Sequence, residues 1–143
     1  MSGNTPRDLS SELAQYAFEC ARKAADKSKE DKTFKKYPQY VKKMPAMIRN
    51  SGFAKAFAFG YSKGEKSGDG EVYELIYSHI RTWLAKKELV KSGKKTEDMI
   101  EEFVNMDYST YRRCENETMA FLDWLRRLAE GMFPEEAASN NDE

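Results

Sequence analysis

Along most of the chain, apolar residues recur every three or four positions, the period of a helix with one face buried. The first stripe runs through Leu9, Leu13, Tyr16, Ala17, Cys20, Ala21 and Ala24. Thr5, Pro6 and Asp8 precede it as a start signal: a capping hydroxyl, a proline suited to the first helical turn and an acid beside the helix N-terminus. The polar segment Ser28 to Thr33 is expected to end it. A second pattern, Phe34, Tyr37, Val41, Met44 and Ile48, predicts a helix opened by Pro38 and kinked or broken at Pro45. Asn50-Ser51-Gly52 reads as a turn or cap. The next segment, Phe53 to Tyr61, is apolar nearly all round and predicts a helix buried in the middle of the domain.

Four glycines between Gly60 and Gly70 read as a loop. Val72, Leu75, Ile76, His79, Ile80, Trp83 and Leu84 then form a strong amphipathic stripe, followed by a loop over Lys91 to Lys95. A shorter helix is expected from Thr96, with Met99, Ile100, Phe103 and Val104 inward. The last helix starts at Asp107 or Ser109 and turns Tyr111, Cys114, Thr118, Phe121, Leu122, Leu125 and Leu128 to the core. Gly131 and Pro134 end it. Residues 135–143 are acidic and rich in small residues, the composition of a disordered tail. The expectation is an all-α fold: one compact bundle of about six helices over residues 1–134, with the tail at 135–143.

Composition supports this reading. Ala, Leu and Met number 29, whereas Val and Ile number only 8, and straight-chain residues and alanine favour helix over strand. No apolar run approaches the ~20 residues of a membrane span. The first residues lack the basic-then-apolar pattern of a signal peptide. Cys20 and Cys114 are too few and too far apart for a disulfide framework or a metal knuckle. A cytoplasmic protein without membrane contact is the expectation.

The 143 residues carry a formal net charge of zero, with 24 basic and 24 acidic groups. The charges are nevertheless segregated. Residues 22–95 have a net charge of +11 and residues 96–143 of −9. Between Lys32 and Gly64 there are eight basic residues and no acid. Such asymmetry suggests an acidic partner such as nucleic acid. Pairing of the basic and acidic parts within the fold accounts for it equally well.

Little in the sequence suggests catalysis. His79, the only histidine, falls among Ile76, Ile80 and Trp83, where a packed imidazole is the simpler reading. No Ser or Cys has an evident base partner. Glu97, Asp98, Glu101 and Glu102 could converge on a metal, with Glu101 and Asp107 as an enzymatic centre, but their spacing equally describes the solvent face of a short helix. Residues 60–67 resemble a phosphate-binding loop only superficially, because the glycine spacing is short, Glu65 intervenes and no strand precedes them. No catalytic residue, metal ligand or cofactor is expected.

The basic stretch is more informative. Lys35 and Lys42, like Lys36 and Lys43, are seven residues apart, which on a helix places each pair on one face about 10 Å apart. That face lies beside the Phe34/Tyr37/Val41/Met44 stripe, leaving the lysines free for phosphates. On the last helix, Arg112-Arg113 and Arg126-Arg127 recur about 21 Å apart. There Glu115, Glu117, Asp123 and Glu130 stand at pairing distance, so intrahelical ion pairs compete with any ligand.

Two signatures carry a family resemblance. The run Met44-Pro45-Ala46-Met47-Ile48-Arg49-Asn50-Ser51-Gly52-Phe53, followed by Ala56-Phe57-Ala58-Phe59, resembles the central signature of the small helical subunit family of the type III-B (Cmr module) CRISPR effector complex. Tyr111-Arg112, Glu117 and Phe121-Leu122-Asp123-Trp124-Leu125-Arg126-Arg127 resemble its C-terminal signature. The resemblance extends from about Leu9 to Glu130. Ser51, Phe53, Glu115 and Leu128 depart from the family pattern. The resemblance implies a non-catalytic subunit of a ribonucleoprotein that silences RNA in antiviral defence. It further implies partners among backbone subunits and copies of itself, and contact with guide RNA and target RNA. Lys42, Lys43, Arg49 and Lys55 are the first candidates for RNA contact, followed by Arg112, Arg126 and Arg127. The alternative is a helical protein–protein scaffold or adaptor without direct RNA contact.

Overall fold

The structure, a computed structural model, describes residues 6–64, 68–91 and 95–133, with side chains from residue 11 onward. Its elements are α1 (Pro6–Glu30), a 3₁₀ turn (Lys32–Lys36), α2 (Tyr37–Ser51), α3 (Phe53–Tyr61), α4 (Gly68–Lys86), α5 (Thr96–Asn105) and α6 (Tyr108–Met132). The described residues are therefore all-α. Thr5, the loop residues 65–67 and 92–94, Pro134 and the acidic segment 135–143 lie outside them.

Helix α1 begins at Pro6 as its start signal predicts and ends at Glu30, inside the polar segment expected to end it. The Ser28 side chain is buried and its hydroxyl donates to the Ala25 carbonyl (2.6 Å), so the helix absorbs this polar residue and runs to Glu30. Asp31 then caps the 3₁₀ turn by accepting from the Thr33 N–H (3.0 Å). Helix α2 carries Pro38 in its first turn and continues unbroken through Pro45. Of the kink or break expected at Pro45, the break is absent: Val41, Met44 and Ile48 are buried on both sides of the proline. Gly52 ends α2 at φ 102°, a conformation that suits a residue without Cβ, and its N–H reaches the Ile48 carbonyl (2.9 Å).

Helix α3 is not buried all round. Phe53, Ala56, Phe57 and Gly60 face inward, whereas Phe59 is 43% and Tyr61 39% exposed. The following helix starts earlier than its stripe suggests, at Gly68. Gly70 is buried where a Cβ would collide with the Gly64 carbonyl, so this glycine permits a close approach of two segments. Beyond the predicted stripe, Tyr73 and Tyr77 are also buried. The end of α4 closes with the Leu89 N–H on the Leu84 carbonyl and the Glu88 N–H on the Ala85 carbonyl (both 2.9 Å), with Glu88 at φ 62° where glycine is usual. On α5, Met99 and Phe103 point inward, but Val104 is 64% exposed and does not belong to the core. Helix α6 starts after Asp107 and passes through Gly131 to end at Met132.

Aromatic rings join the helices. Tyr16 on α1 packs against Trp83 on α4 and Phe121 on α6, each with centroids 5.5 Å apart. Phe53 and Phe57 on α3 meet Phe103 on α5 at 4.6 and 5.2 Å. Tyr37, at the start of α2, stacks on Phe133 just past α6 (5.6 Å), while Phe53, just past α2, packs on Tyr111 near the start of α6 (5.6 Å). Helices α2 and α6 are therefore antiparallel neighbours.

Candidate nucleic-acid interface

The antiparallel pairing of α2 and α6 opens a groove of about 380 Å³ lined by Lys42, Pro45, Ala46 and Arg49 from α2 and by Met119, Asp123 and Arg126 from α6. Lys42 and Arg49 are seven residues apart, so they stand on one face of α2 about 10 Å apart along its axis. Opposite them, Arg126 makes a long ion pair with Asp123 (3.9 Å) that leaves the carboxylate two-thirds exposed. The floor is apolar, formed by Pro45, Ala46 and Met119, and the rim has three cations to one carboxylate. Such a rim attracts an anion, and the single carboxylate weakens that attraction without reversing it.

The remaining predicted residues are distributed around this groove. Lys43 is exposed but turned toward Tyr40, its ammonium 5.3 Å from the ring centroid. Lys55 is exposed on α3, and Arg127 on α6. Arg112 is exposed with its guanidinium over the Tyr108 ring (6.0 Å), one Nη donating to the Tyr108 hydroxyl at 3.4 Å. Of the seven candidates, the fold brings Lys42, Arg49 and Arg126 together and leaves the other four outside the groove lining.

Two of the proposed spacings do not survive folding. Lys35 and Lys36 belong to the 3₁₀ turn, so neither shares a continuous α-helical face with Lys42 or Lys43. Lys36 instead approaches Asp69 on α4 (3.5 Å), whose carboxylate also accepts from the Tyr40 hydroxyl (2.7 Å). The Tyr40 hydrogen bond, together with Lys36, holds the Asp69 carboxyl below its usual range. Glu117, which could have met Arg113, accepts from the Trp83 indole N–H (2.8 Å). Met119 and Asp123 are groove residues that charge counting overlooked; their four-residue spacing on α6 was the available signal.

Several polar groups elsewhere that the sequence singled out have structural partners. His79 shares a hydrogen bond between Nδ1 and the Tyr37 hydroxyl (3.1 Å), and burial, reinforced by the Lys23 charge, pushes it down to about 4. Glu97 accepts from Tyr61 (3.0 Å), Glu102 from the Lys91 N–H (3.2 Å) and Asp98 from the Lys95 N–H (3.3 Å). Asp107 caps α6 on the Thr110 N–H (2.7 Å), which lowers its carboxyl. Thr96, expected to open α5 from solvent, is buried between Arg81 (2.8 Å) and Glu74 (2.5 Å). Both cysteines are buried free thiols, and burial pushes Cys20 up to about 12 and Cys114 up to about 11. Among the described residues, no group of three His, Cys, Asp or Glu side chains is placed to hold a metal ion. None of the described helices is long and apolar enough to cross a membrane. Gly60, the first glycine of the loop-like motif, lies inside α3 against the Tyr77 ring, so its small size serves packing.

The family model for the CRISPR-associated protein Cas_Cmr5 matches residues 9–132. The chain belongs to the Cmr5 family. A crystal structure of a CRISPR-associated Cmr5 family protein from Thermus thermophilus has the same fold, with a TM-score of 0.66 and 23% sequence identity over 85% of this chain and 95% of that one. Membership makes the chain a small subunit of the Cmr module in CRISPR defence. It also accounts for the two signatures: the central one spans the second half of α2, the Gly52 cap and α3, and the C-terminal one lies wholly on α6. In this Cmr5 family chain, the signature positions Arg49 and Arg126 thus lie on opposite walls of one groove.

Proposed function

We propose that the chain is a non-catalytic, cytoplasmic subunit of a type III-B RNA-guided complex that stabilises the assembly and meets guide or target RNA along the α2/α6 groove. The observation that supports this reading is the convergence of Lys42, Arg49 and Arg126 on one groove from two antiparallel helices. Cations that share a groove repel one another, and an RNA backbone would relieve that repulsion. Lys43, Lys55, Arg112 and Arg127 extend the same electrostatic footprint, and backbone subunits and further copies of the chain are its protein partners. The test compares the reconstituted assembly carrying wild-type chain with one carrying Lys42→Ala, Arg49→Ala and Arg126→Ala together. The substituted assembly should keep its subunit composition after nuclease treatment, lose RNA crosslinks to this chain and bind RNA with a shallower salt dependence. Each lost phosphate contact should remove about 0.7 to 0.9 from the logarithmic salt slope.

One observation favours the scaffold reading. Asp123 occupies the groove beside Arg126, as in a surface built for a protein partner of mixed charge. If the wild-type chain gives no RNA crosslink and the triple substitution instead releases a protein subunit, the scaffold reading replaces the first.

A further inference from the structure

Helix α6 carries Tyr108, Arg112, Met119, Asp123 and Arg126 at successive spacings of four, seven, four and three residues. At 100° per residue these positions form a single stripe, and over 18 residues it extends about 27 Å. The groove residues Met119, Asp123 and Arg126 occupy one end of the stripe, and Tyr108 occupies the other. Tyr108 is 72% exposed, the most exposed of the large apolar side chains among the described residues. The Arg112 guanidinium lies over its ring, so aromatic face and planar cation are presented together. Glu115 shares the stripe and Val104 stands exposed in the last turn of α5, so the surface is not purely cationic.

From this arrangement we infer that Tyr108, backed by Arg112, is a stacking platform for an unpaired RNA base, set beyond the α2/α6 groove on the same face of α6. The inference rests on the RNA reading given above and selects single-stranded RNA over duplex. A cationic groove that tracks the backbone, with an exposed ring farther along the same helix face, is the combination that binds single strands: every base offers a π-face, whereas a duplex hides it. The carboxylates of Glu115 and Asp123 repel phosphate but can accept from base N–H groups, the N3–H of uracil included, which again favours bases turned toward the protein. The groove's excess of positive charge, with the exposed ring on the same face of α6, thus commits this surface to single-stranded RNA.

The test uses the full chain at low salt with a fluorescent oligouridine and with the same length of RNA duplex. Tyr108→Ala should weaken oligouridine binding about five- to ten-fold while leaving the salt slope and duplex binding unchanged, because stacking releases no counterions. Tyr108→Phe should bind as wild type does. In the assembled complex carrying 4-thiouridine RNA, the crosslink should map to Tyr108, a readout that needs no substitution. If Tyr108→Ala binds oligouridine as wild type does while Lys42→Ala/Arg49→Ala weakens it, the stacking platform is refuted and the RNA groove stands. If neither substitution has an effect, or no chain binds, and the crosslink is absent, both are refuted. If Tyr108→Ala instead releases a protein subunit and leaves RNA binding intact, the stripe is a protein seat and the inference fails.

Discussion

His79 offers a sharp test of the packing, because its protonation is coupled to folding. Its imidazole meets α2, with Nδ1 sharing a hydrogen bond with the buried Tyr37 hydroxyl, and its backbone meets α1, with the Tyr16 hydroxyl donating to the His79 carbonyl at 2.7 Å. Burial first, then the Lys23 charge, lowers its pKa to about 4 from an ordinary 6.5. The folded state therefore prefers the neutral ring, and between about pH 6.5 and 4 the unfolded chain binds the extra proton. Stability from this group is fully present above 6.5 and is lost as the pH falls toward 4. A displacement of that size corresponds to about 3 kcal/mol once the window is crossed, and about 2 kcal/mol is already lost by pH 5. Urea unfolding of the wild type and of His79→Gln, each at pH 7 and pH 5, isolates the contribution. Gln can still bond to Tyr37 but cannot titrate. The wild type should lose about 2 kcal/mol more than the variant over that interval. Equal losses in the two proteins would show that the imidazole is hydrated in the folded state and that the packing described for it is wrong.

Two further predictions concern the core. Gly60→Ala should destabilise the protein by about 1 to 2 kcal/mol in urea unfolding, because the new methyl meets the Tyr77 ring. That ring is fixed by its hydroxyl on the Ala56 carbonyl (2.9 Å) and by Phe57 at 4.6 Å, and the gain in helix propensity of about 1 kcal/mol offsets only part of the overlap. An unchanged or raised midpoint would refute the close packing of α3 on α4. Thr118→Val should stabilise by about 1 kcal/mol with an unchanged m-value, because Thr118 Oγ1 is buried on α6 without a hydrogen-bond partner. A loss of stability would mean that the hydroxyl has a partner after all.

Much of the fold can be read from the sequence because buried faces impose a three-to-four residue period, and every stripe from Leu13 to Leu125 lies within an observed helix or the 3₁₀ turn that leads into one. The errors fall where a tertiary contact overrides a local signal. Gly68 and Gly70 look like loop residues, yet Gly70 lacks a side chain because the Gly64 carbonyl needs the space. Pro45 looks like a break, yet α2 is held on both sides of it by buried residues. Phe53 to Tyr61 looks buried all round, yet Phe59 and Tyr61 sit at the surface, Phe59 with its ring edge-on to Tyr73 (5.8 Å). Half of the candidate interface was legible in the same way, since Lys42 and Arg49 share a face of α2 by spacing alone. Their meeting with Arg126 was not legible. It depends on α2 and α6 packing antiparallel across more than seventy residues of chain, which no local spacing encodes.

The charge segregation has a physical reading that the zero total conceals. Folding lays α6, which carries four arginines and four carboxylates, against the basic α2, so this contact brings no net negative charge to offset that of α2. The ion pairs formed here lie within each segment instead: Asp69 reaches Lys36 inside the basic block, and Asp123 reaches Arg126 on α6 itself. Yet α6 offers the groove an arginine as well as an aspartate, and α2 adds Lys42 and Arg49, so the groove keeps an excess of two positive charges. Exposed like charges this close destabilise a fold slightly, and an interface built only for ion pairing would have placed carboxylates opposite both cations. The Asp123–Arg126 pair is long and solvent-facing, so it contributes little and yields easily to a stronger anion. The groove is thus balanced to be weakly attractive to phosphate in the free chain. On the RNA reading proposed above, it would act where neighbouring subunits hold an RNA in place.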